Sequence, residues 1–160
     1  VDVQGALSDT RTHPAWFELK TGYQTSAKEA EELANFATHL ALQIEADCGL
    51  VDFRPDPPDE QMNPSGREHA ALVATTGLQV LYGRTLIAAK DVNRYGGLEG
   101  LRRAGLRVTL VANTIYQVDL LPAPWSCSAR EMKEAQLRAL NSLRSDGFFH
   151  ATAAVNHRKL

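Results

Sequence analysis

The stretch Leu86–Thr114, LIAAKDVNRYGGLEGLRRAGLRVTLVANT, constrains the fold more than any other part of the chain. An apolar run ends in Lys90, and a polar turn follows with the paired glycines Gly96 and Gly97. Leu98 and Leu101 then stand three apart, with Glu99, Arg102 and Arg103 on the other side of a short helix. Gly105 stops that helix, and Leu106–Ala112 reads LRVTLVA. An apolar, β-branched run of this kind predicts a strand buried on both faces, as in the centre of a parallel sheet. Helix, glycine, buried strand and a polar turn at Asn113–Thr114 make half of a βαβ unit. Ligands of open α/β sheets bind beyond the carboxyl ends of such strands.

The remaining segments are read around this unit. Val1–Leu7 and Ala15–Thr21 have strand-like patterns, separated by the turn chemistry of Ser8–Pro14. Ser26 with Glu29 forms a capping box, and Ala30, Leu33, Ala37, Leu40 and Ile44 make an apolar stripe at helical spacing. Gly49 is placed to end that helix, and Gly49–Phe53 reads as a short strand. Arg54–Gly66 is a Pro- and Asp-rich loop, while Leu72–Leu81 is apolar without a clear period. Ile115–Trp125 leads through two prolines to a second capping box, Ser128 with Glu131. That box opens a helix with Met132, Ala135, Ala139 and Leu143 on one face, and Phe148–Val155 reads as a last strand. The alternation predicts a single domain over 1–160: a three-layer α/β/α sandwich with a mainly parallel, Rossmann-like sheet.

A chain of 160 residues buries roughly two-thirds of its unfolded surface when it folds as one domain. The net charge of −2 gives no electrostatic reason to expect nucleic acid or an anionic membrane as partner. No apolar run approaches the roughly 18–20 residues that cross a bilayer. With only Cys48 and Cys127, no disulfide framework is expected, and a cytoplasmic protein is the default reading.

Several segments, taken together, resemble the nicotinamidase and isochorismatase family of α/β hydrolases. They are VDVQ at Val1–Gln4, VDFRPDPPDE at Val51–Glu60, REHAALVATTG at Arg67–Gly77, the lysine strand and glycine turn from Ala88, and the closing KEAQLRALNSLRSDGFFHATAAV. The resemblance implies hydrolysis of a small amide or enol ether, with Asp2 as general base and Lys90 stabilising anionic forms. It also implies Tyr95 as a substrate wall. The family's cysteine falls near Gln117–Asp119, where this chain has no thiol, so Asp119 and Gln117 stand at the nucleophile and substrate positions. Asp52 and His69 match metal-ligand positions, but Arg54 and Glu60 replace the expected histidines. One carboxylate and one imidazole make a poor Zn²⁺ site, so neither a metal nor another cofactor is expected. The implied partner is a small molecule, with a homo-oligomer compatible and neither nucleic acid nor membrane involved. Each residue also has an ordinary reading: Lys90 as a surface lysine, Tyr95 as a packed aromatic, His69 as half-exposed, and both cysteines as packing thiols.

Two readings of other classes compete. Asp2 with Glu18-Leu19-Lys20 fits the Asp…Glu-x-Lys signature of Mg²⁺-dependent restriction-type nucleases. If Val1–Leu7 and Ala15–Thr21 pair as a hairpin, Asp2, Glu18 and Lys20 fall on one face by alternation. The missing cysteine also fits a non-catalytic structural subunit that retains the hydrolase fold.

Overall fold

The structure is a computed structural model that describes residues 25–52, 78 and 81–149, and the backbone of 2–6 and 16–20. Strands β1 (Asp2–Ala6) and β2 (Trp16–Lys20) pair antiparallel as a ribbon of their own. Helix α1 (Ala27–Gln43) follows, then β3 (Cys48–Val51) and β4 (Arg84–Ala88). A 3₁₀ segment (Ala89–Tyr95) leads into the short helix α2 (Gly97–Arg103). The hairpin of β5 (Arg107–Val111) and β6 (Ile115–Asp119) comes next, and α3 (Ala129–Ser145) closes the described chain.

Four strands form one sheet in the order β3-β4-β6-β5, and every neighbouring pair is antiparallel. The mainly parallel, Rossmann-like sheet expected from the sequence is therefore wrong. The reason lies in the turn at Ala112–Thr114. Ala112 (φ 49°) and Asn113 (φ 61°) both take positive φ, and the Thr114 amide donates to the Val111 carbonyl. Such a turn folds the chain back on itself, whereas a parallel crossover needs a dozen or more residues. The segment from Ile115, read as a lead-in to the prolines, is thus a strand that inserts between β4 and β5. Both of those run opposite to β6 and so point the same way, which leaves the βαβ unit split. Leu106–Ala112 correspondingly supplies an edge strand, not a central one, and Leu110 on it is 44% exposed.

Helices cover both faces of the sheet. Register puts Arg84, Leu86 and Ala88 of β4 on the same face as Asp119, Gln117 and Ile115 of β6. Here Ala41 of α1 packs with Leu86 and Ile115. On the opposite face Ile87 and Val118 join Leu101 of α2 and Ala135, Ala139, Leu140 and Leu143 of α3 in the larger core. All five residues of β4 are buried.

Both capping boxes form. Ser26 Oγ accepts from the Glu29 amide while Glu29 accepts from the Ser26 amide at 2.8 Å, and Ser128 with Glu131 repeats the arrangement. The buried face of α3 follows the sequence spacing, with Met132 packed at its margin. On α1 the face differs. Ala34, Thr38 and Ala41 are buried, whereas Ile44 is exposed. Small residues let α1 lie close to the sheet, and the polar group at Thr38 has a partner there. Gly49 does not end α1, because it lies within β3 opposite Leu86, where an added Cβ would meet Leu86 Cδ1 at 2.9 Å. The chain leaves the helix instead through Glu45 at φ 51°. Most of Leu72–Leu81 and the part of Phe148–Val155 beyond Phe149 lie outside the described residues, as does His69.

Candidate functional site

Arg84 opens β4 and Asp119 ends β6, and the register sets them directly opposite each other. The Arg84 Nε donates to Asp119 Oδ1 at 2.8 Å, with Nη2 at 3.4 Å from Oδ2. Their side chains are 3% and 4% exposed, so the pair is removed from water. Two ions buried this way need further hydrogen bonds to offset their lost hydration. Arg84 Nη1 donates to Asn35 Oδ1 at 3.0 Å and to Thr38 Oγ1, and Thr38 in turn donates to the Ala34 carbonyl. Gln117 Nε2 donates to Asp119 Oδ2 at 2.8 Å. The guanidinium carbon also lies 5.2 Å from the Trp125 ring centroid, a cation–π distance. Among the described residues, no buried side-chain nitrogen or oxygen is left without a partner. This cluster ties α1, β4, β6 and the Trp125 turn together.

The sequence reading named Asp119 and Gln117, as catalytic and substrate-binding candidates, and did not name Arg84, Asn35 or Thr38. One signal was available: an arginine heading an otherwise apolar strand must be paired if it is buried. The other expected residues lie elsewhere. Lys90 is 70% exposed and pairs with Asp47, whose carboxylate pushes the lysine pKa up through their hydrogen bond and its charge. It follows the Ala88 end of β4, whereas Asp119 faces Arg84 at the other end, roughly 13 Å of strand away. Lys90 and Asp119 are not brought together. Tyr95 is buried, accepts from the Leu78 amide at 3.2 Å and stacks obliquely on Phe149, which makes it a core residue in this fold. Asp52 is exposed just beyond β3. Among the described residues no group of three or more His, Cys, Asp and Glu stands ready for a metal.

Neither cysteine is an activated thiol. Burial, then the charges of Asp47 and Asp91, push Cys48 up to about 12. Burial and Glu131 raise Cys127, whose Sγ donates to the Ala123 carbonyl. At neutral pH both remain protonated and poorly nucleophilic.

The β1–β2 ribbon pairs Asp2 with Lys20 and Gln4 with Glu18. Paired residues share a face, and so do residues two apart along a strand. Asp2, Gln4, Glu18 and Lys20 thus occupy one face of the ribbon. Asp2 and Glu18 are diagonal positions of the register, about 7–8 Å apart in such a pair.

No family model matches this chain, and no curated protein or solved structure matches it either.

Proposed function

We propose that the chain is a divalent-metal-dependent nuclease that cleaves phosphodiester bonds, with Asp2, Glu18 and Lys20 as its reactive group. One observation carries this reading: the hairpin register that gives these three residues a common face. The donor set suits the metal. Two carboxylates are hard oxygen ligands of the kind Mg²⁺ takes, with water and substrate phosphate filling the rest of its shell. When bound, such an ion lowers the pKa of water and offsets charge on the phosphate. Asp2 and Glu18 would hold the ion, and Lys20 would pair with the negative charge that develops as water attacks phosphorus and the alkoxide leaves.

This reading replaces the expectation of a small-molecule partner. The amide or enol-ether hydrolase has no support from the site, because the Asp119 carboxylate is committed to Arg84 and Gln117 and lies away from Lys90. Incubation of supercoiled plasmid with the protein, with Mg²⁺ or with EDTA, tests the proposal. Nicked or linear product is expected with Mg²⁺ only, and it should vanish in Glu18→Ala and Lys20→Ala. Equal cleavage by wild type and Glu18→Ala would refute it.

A further inference from the structure

The two long helices each present a large apolar side chain to solvent. Phe36 of α1 is 51% exposed and Leu137 of α3 is 49% exposed, and Ile44 at the carboxyl cap of α1 is 54% exposed. Helical spacing places Leu33, Phe36, Leu40 and Ile44 in one stripe, because steps of three and four residues return to the same side. The stripe runs beside the buried line of Ala34, Thr38 and Ala41, so packing on the sheet does not use it up, and Leu33 and Leu40 are only half-buried.

The charges before Phe36 and Leu137 match in spacing and oppose in sign. Glu29 and Glu32 stand seven and four residues before Phe36, and Arg130 and Lys133 stand seven and four before Leu137. All four are exposed, and each set shares a helix face with its apolar residue. Across the whole elements, α1 carries three glutamates against one lysine, whereas α3 carries four basic residues against two glutamates. Lys133 makes no ion pair among the described residues. Glu32 and Arg130 have partners only at 3.8 Å, in the exposed pairs Lys28–Glu32 and Arg130–Glu134, and such pairs hold weakly. Glu29 accepts from Ser26 in the cap and keeps its negative charge. Because α1 and α3 pack on opposite faces of the sheet, the two surfaces cannot meet within one chain.

We propose that α1 docks on α3 of a second copy of this chain, packed parallel so that Phe36 meets Leu137, Glu32 meets Lys133 and Glu29 meets Arg130. The aliphatic stems of Arg130 and Lys133 extend the apolar contact while their charged ends reach the glutamates. The two surfaces differ, so the contact is heterologous: each copy keeps a free α1 or α3, and copies add in a ring or an open row. One helix against one helix is a small contact beside the roughly 1,200–2,000 Å² of stable complexes, so the association is concentration-dependent. It uses no residue of the ribbon and stands apart from the nuclease reading.

Analytical ultracentrifugation of the full chain tests this. The average mass of the wild type should exceed that of one chain, rise with concentration and fall as salt screens the charges. Phe36→Glu and Leu137→Glu each block one surface, and each alone should stay monomeric. Mixed, they should form a one-to-one dimer and nothing larger, because Leu137→Glu still offers its α1 and Phe36→Glu its α3. Charge reversal gives a second reading: Glu32→Lys and Lys133→Glu should each weaken association several-fold, and the double variant should recover it. A wild type that is monomeric at every concentration would overturn the proposal, as would a mixture that yields no dimer or a double reversal that recovers nothing. Self-association by Leu137→Glu alone would also overturn it, showing that two α1 stripes pair with each other around a twofold axis.

Discussion

Arg84 shows how one side chain can decide the placement of three elements. Its guanidinium reaches β6 through Asp119 and α1 through Asn35 and Thr38, and its carbon lies over the Trp125 ring. Removing one member of a buried pair leaves the other charged and unmatched, which costs about 3–5 kcal/mol. Arg84→Met and Asp119→Leu should each lose about that much in urea unfolding. The double variant should lose less than the sum, because it leaves no orphaned charge. Simple additivity would show that the two groups do not interact. At the β5–β6 turn the sign reverses. Ala112 holds φ 49°, a region that costs an L residue about 1–2 kcal/mol, so Ala112→Gly should raise stability by up to about 1 kcal/mol after the glycine's greater unfolded-state freedom is counted. A lower midpoint in that variant would contradict the strained turn.

At the scale of elements, what the sequence made legible was local and what it hid was long-range. The capping boxes were readable because Ser26–Glu29 and Ser128–Glu131 satisfy each other within one turn. The ribbon was readable because its alternation needs no third partner. By contrast, Ile115–Asp119 did not read as a strand, since Tyr116, Gln117 and Asp119 interrupt its apolar pattern. Gln117 and Asp119 gain their bonding around Arg84, which is 35 positions from Asp119. Leu106–Ala112 misled in the opposite way: apolar, β-branched residues fit a pleated edge as well as a buried centre. The caps have a pH signature. Hydrogen bonds from Ser26 and Ser128 hold Glu29 and Glu131 below the usual 4.5. A depressed carboxylate pKa adds stability that is present above the unfolded value and lost as pH falls through the folded one. Ser26→Ala/Ser128→Ala should therefore narrow the stability gap between pH 6 and pH 3. A pH dependence identical to wild type would mean that the boxes do not persist in solution.

For the whole molecule, the antiparallel sheet separates two kinds of polar chemistry. The Arg84 cluster holds layers together, while the ribbon register gathers charged residues on one face. Among the described residues, no helix is long and apolar enough to cross a membrane. The central claim is that register, not composition, assembles Asp2, Glu18 and Lys20. Shifting a side chain by one position in a strand moves it to the other face. The most direct measurement is Mg²⁺-dependent cleavage of a labelled duplex by Glu18→Leu/Leu19→Glu, which keeps the composition and net charge but turns the carboxylate away from Asp2 and Lys20. The account predicts cleavage by the wild type and none by the exchanged variant at equal folded concentration. Cleavage by both at similar rates would contradict it.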